Sequence, residues 1–277
     1  ECPTPVTTVY NNPTERVLFE EIRDANPFFH FMESLWMLEG RNDLAYVKRY
    51  NKRMEEYSDD GETLWGAYGY RWIKHFGKNQ LDLIVSELRS NPNSRRCVLQ
   101  MWDASQDLGR DCKDVPCNTA IYFKVRDGKL NMTVSNRSND VIWGTFGANV
   151  VHMSILQEYV ASAIGIEVGK YYQISDSFHV YTNIFNDMYQ DLQREDAFDF
   201  YSMKHYNNPY NNQALKPYKM INTDIPTWTA DLHKFLNRVA FGDKFFDDPF
   251  FTKVACPLQD AWYLYKQKEY DFSLHEV

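Results

Sequence analysis

A cysteine preceded by proline at the head of an apolar run, Pro116-Cys117 before NTAIYF, is by default a small core residue. It becomes a nucleophile where positive groups stabilise its thiolate. Three arginines qualify by type: Arg95 and Arg96 in NSRRCVLQMW, and Arg137 in NRSNDVIWG. Arg137 precedes Ser138, and a guanidinium beside a hydroxyl suits a phosphate. The fork gives two charge-assisted bonds and the serine adds a third. Alone, an Arg-Ser pair has no such meaning, and Arg95-Arg96 reads as a solvated pair at a strand entrance. His179 and Tyr181 in SDSFHVY share one face of a strand and could together hold a sugar hydroxyl; a buried structural pair is the ordinary alternative. Glu33 sits in the most aromatic helix, where a carboxylate is costly unless used or paired, and His30 is its ordinary helical partner. Asn149 opens a long apolar run, where a helix cap is the default explanation.

Those side chains need elements to position them. Residues 26–39 read as a buried helix, with Phe28, Phe31, Leu35 and Leu38 at helical spacing. Asp43 caps a second helix expected to run to about Glu56, closed by Asp59-Asp60-Gly61. Residues 79–91 repeat the amphipathic pattern and stop at Asn91-Pro92. From Arg95 the period changes: RRCVLQMW, NTAIYFKV and LNMTVSNRS read as strands, the last two joined at Asp127-Gly128. An apolar helix follows over 148–164, then the strand VGKYYQISDSFHVY, then helices near 183–194, 228–239 and 256–268. The polar stretch 204–218 reads as a surface insertion. The order implies an α+β class, with a mixed or largely antiparallel sheet flanked by helices in one domain over residues 1–277.

Composition sets the outer bounds. With 277 residues, 44% apolar and 25% charged, disorder, collagen-like repeats and a disulfide scaffold are excluded. A net charge of −8 argues against broad DNA or RNA binding, though not against one small anion held by a few arginines. Aromatic content of 16% suits a dense core or a pocket for a flat ligand. Five cysteines are an odd number without metal-type spacing, so no metal is expected and a reduced, cytoplasmic setting is the better fit. No apolar run is long enough for a transmembrane helix. The chain begins Glu-Cys-Pro-Thr-Pro without an initiator Met, as a piece of a longer chain would.

In order, ESLWMLEG, GAYGYRW, NPNSRRCVLQMWD, PCNTAIYF, NRSNDVIWG and SDSFHVY resemble the thymidylate synthase superfamily, which includes phage-type pyrimidine nucleotide hydroxymethylases. The resemblance runs from about residue 26 to 183. It implies a homodimer joined through the sheet and 5,10-methylenetetrahydrofolate as one-carbon donor. It implies that Cys117 adds to C6 of a pyrimidine deoxynucleotide monophosphate, that Arg137 and Ser138 hold the phosphate, and that Arg95 and Arg96 reach it across the dimer. His179 and Tyr181 match contacts to the 3′-hydroxyl, Tyr68 a tyrosine near proton removal, Asp140 a folate contact, and Glu33 the glutamate that orders water around the base.

Departures from the synthase pattern bear on the product. The residue after the nucleophile, commonly His in synthases, is Asn118; a shielding tryptophan corresponds to Met54; and the chain ends DFSLHEV rather than in the family's closing segment. Less shielding favours water entry, and thus a hydroxymethyl rather than a methyl group. Methylation of dUMP, hydroxymethylation of dCMP and a non-catalytic nucleotide-binding relative stay open. The base turns on Asn149: a carboxamide matches uracil, a carboxyl group cytosine. The interval from Ser138 to Asn149 is one residue longer than the family's, so Asn149 reaches the slot only if a bulge, expected at Thr145–Gly147, absorbs the extra residue.

Overall fold

In the computed structural model of the chain, which describes residues 1–18, 23–194, 209–211, 213–271 and 273, five strands form one sheet. They are β1 (Val6–Tyr10), β2 (Val98–Gln100), β3 (Asn118–Arg126), β4 (Lys129–Asp140) and β5 (Glu167–His179), in the spatial order β1-β5-β4-β3-β2. The β4–β5 pair is parallel and the other three are antiparallel, which makes the sheet mixed and the class α+β. At the β3–β4 hairpin both Asp127 and Gly128 have positive φ, the turn geometry that matches strand twist. The edge strand β1 is the one that the sequence pattern did not reveal, since VTTVY is short and half polar.

A parallel pair needs a crossover, which α5 (Ala148–Ile164) supplies with the bounds expected of its apolar run. It packs on β4 and β5 and, on its far side, against α1 (Pro27–Leu38). Asn26 starts α1 by accepting from the N–H of Phe29 at 2.9 Å, with Pro27 in the first helical position. Met32, Leu35 and Trp36 of α1 are fully buried. α1 also meets α2 (Leu44–Val47), α3 (Tyr68–Tyr70), α7 (Ile225–Leu236) and α8 (Cys256–Lys266). Its apolar surface is broad because helices surround it. α4 (Gln80–Ser90), capped by Asn79, packs on α5, and α6 (Thr182–Arg194) follows β5.

The second helix is shorter than expected. Asp43 does cap α2, accepting from the N–H of Tyr46, but the helix ends at Val47. Asn51 then accepts from the N–H of Arg53 and starts a separate 3-10 segment, Lys52–Tyr57. A local side-chain bond of this kind competes with helix continuation.

Ile121, Phe123, Met132, Val134 and Tyr171 point from the sheet into the core. The opposite face carries a row in register across all five strands: Val98, Tyr122, Thr133, Tyr172 and Val9. Of these, Val98, Tyr122 and Val9 are 42%, 46% and 43% exposed, leaving an uncovered apolar stripe. Of the expected insertion, residues 204–208 and 212 lie outside the described residues; 209–211 form a turn. In the final segment, 272 and 274–277 also lie outside them. Among the described residues no helix is long and apolar enough to cross a membrane.

Candidate active site

Cys117 immediately precedes β3 and is held by Arg137 of β4. The Arg137 N–H donates to the Cys117 carbonyl at 2.9 Å. Its Nε donates to the Pro116 carbonyl at 2.8 Å and its Nη2 to the Val115 carbonyl at 2.9 Å, with Nη2 standing 3.7 Å from Sγ. Those bonds use Nε and Nη2 and, among the described residues, leave both hydrogens of Nη1 for an anion. The arginine favours the thiolate of Cys117, but it is outweighed. Burial pushes the thiol above its usual range, Asp114 pushes the same way, and Arg137 opposes them less strongly.

Tyr68 meets the residue after Cys117. Its Oη accepts from the N–H of Asn118 at 3.4 Å, and burial, then the Cys117 charge, drive its phenol well up. Arg95 and Arg96 are exposed in the loop before β2, and among the described residues no hydrogen bond or ion pair links their side chains to Arg137.

The parallel register of β4 and β5 sets Ser138 opposite Ser177 and Asp140 opposite His179. Nδ1 of His179 lies 3.3 Å from the Ser177 hydroxyl, and its ring meets Tyr181 edge-on at 5.4 Å. The strand ends at His179, so this ring contact, rather than alternation along a strand, brings the pair together.

Asn149 is not a cap. Gly147 holds the position before α5, and Asn149 is the helix's second residue, with its carboxamide in a chain of four. Asn136 Nδ2 donates to Asn118 Oδ1, Asn118 Nδ2 to Asn149 Oδ1 at 3.3 Å, and Asn149 Nδ2 to Asn139 Oδ1 at 3.0 Å. Asn139 Nδ2 ends the chain on the hydroxyls of Thr145 and Ser175, both at 2.9 Å. A Cβ on Gly144 would come within 2.1 Å of Asn139 Oδ1, so the chain requires glycine there. No β-bulge forms at Thr145–Gly147, the place expected for one; the irregularity lies in the turn that leads into it. Val141–Thr145 form a π-helical turn, closed by the Phe146 N–H on the Val141 carbonyl at 2.9 Å. Such a turn accommodates one additional residue within helical geometry.

Glu33 does not pair with His30. Its Oε2 lies 3.0 Å from Nε2 of His152, which is 3% exposed and reaches across from α5. His30 instead meets the His152 ring edge-on at 6.3 Å, and burial, His152 and Arg23 depress its pKa to about 3. Asp140 starts the π-helical turn through Oδ1, which accepts from Ile142 and Trp143 at 2.8 and 2.6 Å. Its other oxygen, Oδ2, is buried without a partner among the described residues. Met54 is half-buried in the 3-10 segment, against the core. The sequence reading missed Asn136, Asn139, His152 and Asp114. Signals for them existed: two further asparagines flank Arg137-Ser138, His152 lies one helical turn beyond Asn149, and Asp114 stands three residues before Cys117.

The thymidylate synthase family model matches residues 25–226. A deoxyuridylate hydroxymethyltransferase of Pseudomonas phage M6 is 49% identical over 99% of this chain and 79% of its own length. Proteins of the same name from Bacillus phage SP01 and Delftia phage PhiW-14 are 42% and 30% identical over 64% and 67% of this chain. The chain spans about half the length of those two, at 49% and 54%. With the family match covering most of its length and including Cys117, Arg137 and Asn149, the chain belongs to the thymidylate synthase family.

Proposed function

We propose that this chain is a one-carbon transferase that converts dUMP to 5-hydroxymethyl-dUMP. One observation carries the proposal: a cysteine clamped by an arginine with a free donor edge lies in a chain that matches a deoxyuridylate hydroxymethyltransferase over nearly its whole length. In this reading Arg137 Nη1 and Ser138 bind the phosphate, and His179 and Tyr181 take the 3′-hydroxyl. Asn149 accepts from N3–H and donates to O4 of the base. Cys117 adds to C6, which makes C5 nucleophilic; its thiol proton must leave as the nucleotide arrives. Tyr68 and Glu33 serve the subsequent removal of the C5 proton.

Bound 5,10-methylenetetrahydrofolate supplies the methylene carbon. The buried, unpartnered Oδ2 of Asp140 fits such a co-substrate, because a pteridine offers N–H donors that a carboxylate can accept. Met54 would line that side of the pocket. The outer sheet row supports a homodimer, since its exposed Val9, Tyr122 and Val98 are what a second copy would cover. Arg95 and Arg96 would then act on the partner's phosphate.

The test is incubation with methylenetetrahydrofolate and either dUMP or dCMP, with the product identified by mass. A hydroxymethyl product from dUMP is expected, without the absorbance rise of dihydrofolate that accompanies methylation. Cys117→Ala should abolish turnover and leave dUMP binding measurable. A methyl product would overturn the assignment.

A further inference from the structure

We propose that Asp114 is the general base for the water that becomes the hydroxymethyl oxygen. The assignment rests on the hydroxymethyl reading above. It starts from a carboxyl group that catalysis has so far left unused. Asp114 stands three residues before Cys117, in the segment whose next two carbonyls are clamped by Arg137. Its Oδ2 accepts from the N–H of Gly66 at 2.8 Å, and Gly66 lies two residues before Tyr68. A Cβ on Gly66 would fall 2.8 Å from Asp114 Oδ1, so the glycine is what admits the carboxyl. Oδ1 has no hydrogen-bond donor among the described residues, and Glu33 lies apart from it against His152, with Oε2 3.0 Å from Nε2.

Asp114 is carried by the Cys117 segment, and its bond to Gly66 ties that segment to the start of the Tyr68 helix. Glu33 and Asp59 raise its pKa, Arg71 and the Gly66 N–H lower it, and burial is the largest effect; the result is about 6. Cys117 and Tyr68 both feel its charge. A carboxylate with such a pKa is largely ionised at neutral pH yet basic enough to take a proton from attacking water.

The step balances without an oxidant or reductant. After tetrahydrofolate leaves, C5 of the pyrimidine carries an exocyclic methylene conjugated with the C4 carbonyl, and Sγ of Cys117 is still bonded to C6. Water oxygen bonds to the methylene carbon, and the C=C pair moves through C5 onto the C4 oxygen. One water proton goes to Asp114 and the other stays in the new hydroxyl. The enolate then collapses, C5=C6 re-forms, and the C6–S bond breaks to release the Cys117 thiolate.

Asp114→Asn keeps an acceptor for the Gly66 N–H, so the local fold is retained; unchanged dUMP affinity and thermal melting check this. In a single turnover with enzyme in excess, tritium release from [5-³H]dUMP should stay within about threefold of wild type. Hydroxymethyl formation should slow by about a hundredfold, the usual contribution of a general base. An added thiol should then capture the methylene as a thioether. In the wild type the same slow step should rise with pH and level off above about 6, a profile that Asp114→Asn lacks. Equal losses in tritium release and product, or no loss in either, would overturn the role of Asp114. Absence of a hydroxymethyl product from the wild type would instead overturn the reading on which it rests.

Discussion

Nε2 of His152 lies 3.0 Å from Oε2 of Glu33, a contact that joins the first turns of α5 to the middle of α1. Both side chains are buried, and the contact lacks hydrogen-bond geometry, since neither ring nitrogen of His152 has a hydrogen-bond partner among the described residues; proximity of charge is then what offsets the water they lose. His152→Ala should therefore destabilise the chain by about 1–3 kcal/mol, the cost of leaving a buried polar group unpaired. Adding Glu33→Gln should restore part of that stability but no activity. Urea unfolding of the two single variants and the double variant measures the coupling. Strict additivity would show that the contact is energetically idle.

His30 makes a separate pH prediction. Its folded pKa, about 3, is below the ordinary value of 6.5. Below 6.5 the unfolded chain takes up a proton that the folded chain refuses, so stability is full above 6.5 and falls as pH drops toward 3. Each unit of that gap is worth about 1.4 kcal/mol. His30→Gln removes the term, so its stability should fall less steeply than wild type between pH 6.5 and 4. Parallel curves for the two proteins would exclude His30 as a source of acid sensitivity.

Base choice turns on the carboxamide chain. Asn139 Nδ2 is committed to the Thr145 and Ser175 hydroxyls, so its oxygen faces Asn149 and fixes which end of Asn149 donates. Each end of Asn149 keeps one hydrogen-bonding capacity unused, an acceptor lone pair and an N–H, and that pattern is uracil's complement. The wild type should favour dUMP over dCMP roughly a hundredfold or more in kcat/KM, as for other buried polar pairs. Asn149→Asp should move activity toward dCMP. Equal or better turnover of dCMP by the unaltered chain would sink the assignment.

What was legible in the sequence follows from how local each signal is. α5 shows its bounds because seventeen mostly apolar residues end at a glycine, and the β3–β4 hairpin because Asp127-Gly128 has few other conformations. Glu33 was legible as a costly carboxylate, but its partner was not. His152 is distant in sequence, and only the packing of α1 on α5 brings the two together. Asn149 shows the same limit. Its proposed place near a nucleotide comes from family resemblance and its bonds from tertiary packing, because a helix start alone reads as a cap. The upward push of burial on the Cys117 thiol was not legible, since arginines are visible in a sequence and desolvation is not.

The last prediction concerns Arg95 and Arg96, whose side chains face solvent with no described acid to neutralise them. In an acidic chain two adjacent unpaired arginines cost little on the surface and gain most beside an anion. The outer row Val98, Tyr122, Thr133, Tyr172 and Val9, exposed at Val98, Tyr122 and Val9, begins two residues after Arg96. A second copy docked on that row by a two-fold axis would carry each subunit's arginines toward the other's Arg137. Cys117→Ala lacks the nucleophile and Arg96→Ala the donated arginine, so each homodimer should be inactive or nearly so. In a mixed dimer one of the two sites combines an intact Cys117 with an intact Arg96. After equal mixing and full exchange, half the dimers are mixed, so activity should recover to about a quarter of wild type. Mass spectrometry of the intact mixture establishes that exchange occurred. Mixed dimers without recovered activity would mean that each subunit binds the phosphate with its own residues, and a monomeric chain would remove the composite site altogether.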